Sequence, residues 1–484
     1  MRLRLKRTVL PALLCLWSGI AAADSDPFDT EAALPLKPAL RLDGAVGDPC
    51  ADAMPQGALN LPDVVNLALC NNPQTREVWA SSRVQAAQVG ASRGSFLPGA
   101  SLSASGNRNS PGASQRTLGL SLSYLLYDFG VRAANLENAR QLLAAASATQ
   151  DSTVQAVFLS AVQAYYQTHA TQAVLDAARE AERAAKGSFA AAEARYLAGS
   201  ATPADKLQAQ TAYSQATLNR IAAEGNLKKA IGELANIIGL EANRNVTLAA
   251  ANAEAVPAGF EQDVNALIEE AKRHRPDLIA AEAQVKAAEA SAAAARAAGK
   301  PSISLTASTT QLNTAGVTSR GSSLGVSVSM PLFAGYAPTY RVRAAEAQVV
   351  AQQARTERVR LQVALDVWNA WQNLVTATQS LRTTADLLGS ATQSERVALG
   401  RYQAGVGSIL DLLNAQSALA SARQQRIQSQ LDWNVGRAAL AQSMGSLDAN
   451  LLQTLSPERR AEQGLAPRDS ISSQSPVAPE KALP

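Results

Sequence analysis

Histidine and cysteine are nearly missing from this 484-residue chain, which has two His and three Cys. His169 and His274 lie far apart, and neither has a carboxylate or thiol near it at metal-ligand spacing. A histidine-built metal centre is therefore excluded, and both read as helix-surface residues. Three cysteines are too few for a disulfide scaffold. Cys15 falls within a leader, so only Cys50 and Cys70 remain, to pair across a short N-terminal loop or to stay reduced. Long hydrophobic runs are scarce too. The run Val9–Ile20 falls short of the roughly 20 residues that a membrane helix needs. With Arg2, Arg4, Lys6 and Arg7 before it and Ala21-Ala22-Ala23 after it, it reads as a signal peptide spanning 1–23. Cys15 follows Ala12-Leu13-Leu14, whereas a lipidated cysteine wants a small residue just before it.

An excess of one charge is also lacking. Removing the leader's four basic residues from the chain's 44 leaves 40 Lys and Arg against 40 Asp and Glu. Nothing remains to hold nucleic acid electrostatically. Enzyme signatures are absent as well: no paired carboxylates in a plausible cleft, no G-x-S-x-G, no phosphate loop, no zinc spacing. No cofactor is expected.

What is present is one unit written twice. Arg195-Tyr-Leu-Ala-Gly-Ser-Ala-Thr-Pro-Ala-Asp-Lys-Leu-Gln-Ala-Gln210 returns as Arg401-Tyr-Gln-Ala-Gly-Val-Gly-Ser-Ile-Leu-Asp-Leu-Leu-Asn-Ala-Gln416, 206 residues later. Asn72-Pro73 answers Arg275-Pro276, Pro98 answers Pro301, and Leu126-Tyr127 answers Leu332-Phe333. A duplication on this scale assigns function to what the pair builds. It divides the chain into a proline-rich, extended or disordered lead-in (24–58), a first repeat (59–250), a second repeat (251–455) and a disordered tail (456–484).

Within each repeat the expected order is a short helix stopped by proline (Leu61–Asn71; Val264–His274), a longer helix, and a β-hairpin (about 95–127; about 302–332). A long helical hairpin then turns near 199–202 and near 405–408. The strands alternate cleanly. Leu118-Gly-Leu-Ser-Leu122 and Leu324-Gly-Val-Ser-Val-Ser-Met330 set aliphatic residues on one face and Gly or Ser on the other. Polar loops are expected at Gly106–Arg116 and Gln311–Gly321. Leu361, Leu365, Trp368, Gln372 and Val375 step by four and three, a coiled-coil seam, with Trp368 and Trp371 as its anchors. At 1.5 Å per residue such helices extend on the order of 100 Å, so no compact core is implied.

Strands of this length cross a bilayer when tilted. Four of them cannot close a barrel, and an open edge is not viable in lipid. If they enter a membrane, they must be shared among chains. The chain closely resembles the TolC family of outer-membrane export ducts from Leu59 to Leu447. The likeness rests on the duplication, the Asn72-Pro73 opening, Leu126-Tyr-Asp-Phe-Gly130, Pro331-Leu-Phe-Ala-Gly335 and the Arg-Tyr-x-Ala-Gly turns. Within that family it is similar to the type I secretion branch, which exports unfolded proteins.

The resemblance implies a mostly α protein with membrane β: a homotrimer whose three sets of four strands make a twelve-stranded barrel in outer-membrane lipid. That barrel continues into a helical tunnel across the periplasm of a Gram-negative cell. The implied partners are an inner-membrane ABC transporter and a periplasmic adaptor, with a transported protein or small molecule as cargo. It also implies a gate at the helical turns. Tyr402 matches a latch tyrosine, Asp205 its carboxylate partner and Asp411 a constriction aspartate. Asn414 stands where a second carboxylate ring is expected, and Gly407 replaces a latch arginine. Gly199, Thr202, Gly405 and Ser408 complete the turns. Tyr127, Asp128, Gly130, Arg132, Phe333 and Gly335 shape the barrel-to-helix passage. Thr202–Asp205 and Ser408–Asp411 each also fit a capping box, a role compatible with gating. Drug or metal efflux remains the rival within the channel class, and a periplasmic coiled-coil adaptor the rival outside it.

Overall fold

The structure is a computed structural model that describes residues 26–32, 34–35, 57–108, 114–244, 246–249, 263–314 and 316–446. The leader, the tail 456–484 and Cys50 lie outside the described residues. Cys70 is disulfide-bonded.

Each half opens on a proline break. Helix α1 (Leu61–Asn71) ends because Asn72, preceding Pro73, is extended at φ −62°, ψ 129°, as residues before proline prefer. Pro73 then opens α2 (Pro73–Gly94) at a position that needs no N–H donor. Strands β1 (Gly99–Arg108) and β2 (Ser114–Tyr127) follow, then α3 (Val131–Leu197) and α4 (Pro203–Ile237), of 67 and 35 residues. The second half runs α5 (Val264–His274), α6 (Pro276–Ala297), β3 (Ser302–Thr314), β4 (Val317–Ser329), α7 (Ala337–Gln403) and α8 (Ile409–Ser443). Its two long helices again have 67 and 35 residues. No described helix is long and apolar enough to cross a membrane.

The four strands form one antiparallel sheet in the order β1-β2-β3-β4. Register puts Leu102 opposite Leu120, Leu122 opposite Ala307, and Leu305 opposite Val326. Directly opposed residues share a face, so these belong to one aliphatic face. The other face is Ser, Thr and Gly: Ser101 faces Ser121, Ser121 faces Ser308, and Ser308 faces Ser323. The hydroxyls pair across it, Ser101–Ser121 at 2.7 Å and Ser308–Ser323 at 2.8 Å. Both faces are open in the single chain; Leu324 is 76% and Val328 68% exposed.

The polar hairpin loops are shorter than the sequence suggested. Gln311–Thr314 and Val317–Gly321 are strand, closed by a turn at Gly316 (φ 90°). Polar side chains there resemble a loop in composition. They bond across the ladder instead, Asn313 Nδ2 to Thr318 Oγ1 at 2.8 Å and Ser322 Oγ to Thr309 Oγ1 at 3.1 Å. Gly106–Arg108 and Ser114–Arg116 are strand as well, paired across the ladder.

Two apolar clusters anchor the helices. In the first half Val64, Val65 and Leu69 of α1 meet Val157, Phe158 and Val162 of α3 and Leu234 of α4. Each large side chain so buried contributes about 1.5–3 kcal/mol. In the second half Leu267 and Leu278 pack with Trp433 and Leu440 against α7. The α7 seam is not the expected one. Leu361, Leu365 and Trp368 are 65%, 49% and 44% exposed, whereas the row Val363, Val367, Ala370, Leu374, Ala377, Leu381 is buried. Both rows step by four and three. The chain covers only the second with its own helices. Trp371 is partly buried against that cluster.

Two further expectations are corrected. His169 is not a surface residue: its ring lies 4.6 Å from that of Tyr165, and its buried Nε2 finds no hydrogen-bond partner. His274 is exposed. Part of the lead-in is docked on α2 rather than free. Trp79 Nε1 donates to Pro35 O at 2.9 Å, Arg93 Nη1 donates to Phe28 O at 2.6 Å, and Arg83 pairs with Glu31 at 3.0 Å.

Candidate functional site

The two helical turns differ in detail. After α3 the chain reverses at Gly199, whose φ of 74° would strain any residue with a Cβ. Thr202 then caps α4: its Oγ1 accepts from Asp205 N at 3.2 Å. The Asp205 carboxylate accepts from Thr202 N and from Thr202 Oγ1, both at 2.9 Å. Both halves of the capping box are made, with Pro203 at the first helical position.

The second turn reverses at Gly405 (φ 81°), and Ser408 Oγ accepts from Asp411 N at 3.1 Å. No return bond from Asp411 is formed, so only half of the expected box exists. Gly407 is there for space. A Cβ at Gly407 would sit 3.0 Å from Arg401 Cβ and 3.1 Å from Tyr402 N. A larger residue here would need Arg401 and Tyr402 to give way by a few tenths of an ångström.

Tyr402 is only 5% exposed, and it is not joined to Asp205, whose bonds go to Thr202. Its partner is Arg195. The Arg195 guanidinium lies 4.2 Å from the Tyr402 ring centroid and donates to Tyr402 O. The contact ties α3 to α7, and with Ala192, Ala209, Ile409 and Leu412 it closes a small apolar cluster. Sequence reasoning passed over Arg195, although it opens the repeated Arg-Tyr-x-Ala-Gly motif. The signal was there: a motif arginine in one repeat facing the motif tyrosine of the other.

Asp411 and Asn414 lie together, lining an open groove between α7 and α8 with Ser394, Arg401 and Gly407. Asp205 is on the other hairpin, away from them. At this mouth a water-facing carboxylate, an amide and an arginine can act on ions or on a neighbouring surface. They have no arrangement for bond-making chemistry. Among the described residues no group of three or more His, Cys, Asp or Glu could hold a metal ion.

The strand-to-helix passages are also unequal. Leaving β2, Phe129 and Gly130 take positive φ (52° and 101°), and the Tyr127 and Phe129 rings meet edge to face at 4.7 Å. Asp128 accepts from Gly130 N at 3.2 Å and from Arg132 N at 2.8 Å, and pairs with Arg132 Nε at 3.1 Å. Arg132 in turn covers Phe96, 4.9 Å from its ring centroid. Leaving β4, Gly335 and Tyr336 are left-handed (φ 61° and 63°), and Phe333 meets Tyr336 at 5.7 Å. Phe333 is 78% exposed, and no side chain caps α7.

A family model described as outer membrane efflux protein matches residues 64–240 and 267–446, one stretch in each half. Protein CyaE of Bordetella pertussis is 29% identical over 452 residues, covering 90% of this chain and 94% of that one. Outer membrane protein TolC of Escherichia coli is 24% identical over 421 residues, covering 82% of this chain and 84% of that one. A crystal structure of a membrane protein from Pseudomonas aeruginosa matches with a TM-score of 0.72 at 25% identity, covering 80% of this chain and 93% of that one.

Proposed function

The chain belongs to the outer membrane efflux protein family, and from that premise we propose that three copies build a passive duct for type I secretion of a protein toxin. This is an outer-membrane channel of a tripartite system with a long periplasmic helical tunnel, and not an enzyme. Similarity to Protein CyaE favours the secretion branch. An inner-membrane ABC transporter and a periplasmic adaptor would complete the machine, the transporter choosing the cargo.

One observation carries the duct: a four-stranded sheet with an aliphatic face, a hydroxyl-and-glycine face, and two unpaired edges. Lipid tolerates no open edge, so β4 of one copy pairs with β1 of the next until the ring closes. Twelve strands then enclose water against the Ser/Thr/Gly face. At the periplasmic mouth Asp411 supplies one carboxylate ring, and Asn414 leaves the next ring neutral. Gly407 offers no bidentate donor. The mouth is thus held by fewer charges and attracts cations weakly, with Arg195–Tyr402 as its tie inside each chain.

Detergent-purified protein tests this directly. A heat-labile trimer on a gel, with stepwise conductance in planar bilayers, is the expected result; a monomer that fails to conduct would end the reading. Strong cation block abolished only by Asn414→Ala would end the account of the mouth. The family description itself keeps efflux of small molecules as the second reading. A neighbouring gene for a proton-driven pump, rather than for an ABC transporter and a repeat toxin, would favour it.

A further inference from the structure

The strand region of this chain carries no negative charge. Of its 40 Asp and Glu, none falls between Val78 and Tyr127 or between Ala290 and Ala345, the two stretches that hold all four strands. The strands do hold three arginines, Arg108, Arg116 and Arg320. Register puts all three on the aliphatic face. Arg116 lies two residues from Leu118 and opposes Gly106 and Asn313; Arg108 opposes Ser114; Arg320 opposes Gln311, which is itself opposite Leu118. The hydroxyl face at the same height, with Asn107, Gln115 and Ser319, is uncharged. All three arginines are exposed, and among the described residues none has a hydrogen bond or an ion pair.

The two ends of the aliphatic face differ in chemistry. At the end next to the helices stands Tyr124, with Tyr127, Phe129, Phe333 and Tyr336 in the flanking segments. Arginines near that end are answered by carboxylates, Arg132 by Asp128 at 3.1 Å and Arg296 by Glu346 at 2.8 Å. The far end has no aromatic residue from Ser103 to Leu118 or from Ala307 to Ser323, and its arginines are unanswered. Arg116 and Tyr124 are eight residues apart on β2. At about 3.3 Å per residue and a tilt of about 40° that is roughly 20 Å of height, close to the apolar band of an outer-membrane barrel. The two residues therefore border opposite leaflets. An arginine on a lipid-facing strand costs least at such a border. The helices extend into the periplasm, so the arginine end faces the cell exterior. A shallow depression there is lined by Gly106, Arg116, Leu118, Gln311 and Asn313. A Cβ at Gly106 would meet nothing within 4 Å, which leaves Arg116 open to approach from the β1 side.

We propose that this end of the sheet binds the phosphate-bearing headgroups of outer-leaflet lipids. Arg116 and Arg320 hold phosphate with Asn313 and Gln311 beside them, Arg108 adds charge at the strand tip, and the acyl chains lie along the aliphatic band. This rests on the reading above, in which the aliphatic face meets lipid. A guanidinium offers phosphate two parallel N–H donors, and no carboxylate on the strands competes for them. A rim that merely faced water would tolerate acids as well as bases, and on either face.

The full chain is purified in detergent and titrated with diphosphorylated lipid A, with phosphatidylcholine or with inorganic phosphate, and bound lipid is counted by native mass spectrometry. The expected result is retention of lipid A, none of phosphatidylcholine, and no displacement of lipid A by an equal concentration of phosphate. Replacing all three residues (Arg108→Gln, Arg116→Gln, Arg320→Gln) should weaken lipid A binding about a hundredfold, about fivefold for each arginine. With the chain unaltered, lipid A lacking one phosphate should also bind more weakly. Equal binding by the triple variant, or of the two lipid forms, overturns the proposal, and displacement by phosphate overturns the lipid as occupant. Chains that conduct in phosphatidylcholine bilayers yet fail these arms leave the duct standing. Chains that neither trimerise nor conduct overturn both.

Discussion

The two halves share their helix lengths but meet one geometric demand with different chemistry. Each return helix ends beside the proline break of its own half, so its last carbonyls need donors there. In the first half a neutral amide answers: Asn72 Nδ2 donates to Ile237 O at 3.1 Å while its Oδ1 caps α2 by accepting from Gln74 N at 2.8 Å. In the second half a cation does the same work. Arg275, 7% exposed, donates to Ser443 O at 3.2 Å and holds Asp277 at 2.9 and 2.6 Å and Asp366 at 3.2 Å. A duplicated fold thus keeps the position of a donor and not its charge. At these two breaks, sensitivity to salt and acid thereby belongs to the second half.

Removing both donors gives the largest expected contrast. Arg275→Ala leaves Asp277 and Asp366, each about one third exposed, without their partner and should cost about 1.5–3 kcal/mol. Asn72→Ala loses a cap and one hydrogen bond, about 1 kcal/mol. Chemical unfolding followed by circular dichroism reads both, and equal losses would break the comparison. Acid sharpens it. Burial pushes the Asp277 carboxyl up, but the Arg275 hydrogen bonds and charge and the Leu278 N–H outweigh it and hold it below its ordinary value. The stability this contributes is present above the unfolded value near 3.9 and is lost as pH falls through the lower folded value. Asp277→Asn should flatten that acid limb, whereas the amide of Asn72 at the matching break contributes none.

Next come the glycines that end the return helices, where the halves should behave alike. Gly239 (φ 80°) and Gly445 (φ 76°) both approach the preceding short helix. A Cβ would meet Asn71 O at 2.7 Å in one case and His274 O at 2.9 Å in the other. Left-handed strain alone costs about 1–2 kcal/mol for an alanine, and each clash with backbone adds to it. Gly239→Ala and Gly445→Ala should therefore both lower stability by more than Asn72→Ala does.

The helical turns come third. Asp205 is bound twice by Thr202, so Asp205→Ala should cost about 1 kcal/mol, within the range for a capping box. Asp411 gives its helix only a favourable charge at the N-terminus, worth about 0.3–1 kcal/mol. Asp411→Ala should thus barely change unfolding while lowering the cation preference of single channels. A large stability loss at Asp411 with no conductance change would reverse the assignment of the two carboxylates.

Which parts were legible follows from the range of the forces involved. Proline breaks at Pro73 and Pro276, reversals at Gly199 and Gly405, and the alternation in 118–122 obey rules that act within a few residues, and the sequence carries them openly. The α7 seam was misread because Leu361 and Val363 each begin an apolar row with the same steps, and spacing cannot tell which neighbour covers which row. The strand at 311–314 was hidden because, Leu312 apart, its side chains are polar. Arg195 was missed because its tyrosine lies in the other repeat. The difference between Asp205 and Asp411 arises from a return hydrogen bond that the shared hydroxyl-x-x-Asp spacing does not guarantee.

The smallest expected effect concerns a residue without a counterpart. His169 has Val375 at the equivalent position, so any titration here belongs to the first half alone. Burial against Tyr165 holds the imidazole below its ordinary value of 6.5, since the charged ring would lose water without gaining a partner. The unfolded chain therefore binds a proton at higher pH than the folded one. Stability attributable to His169 is intact above 6.5 and declines as pH falls from there through the folded value. His169→Phe keeps a ring beside Tyr165 and removes the proton. Melting temperatures recorded from pH 7.5 down to 5 should fall in the native chain and fall less in the variant. Parallel curves would mean that the imidazole finds a partner when charged.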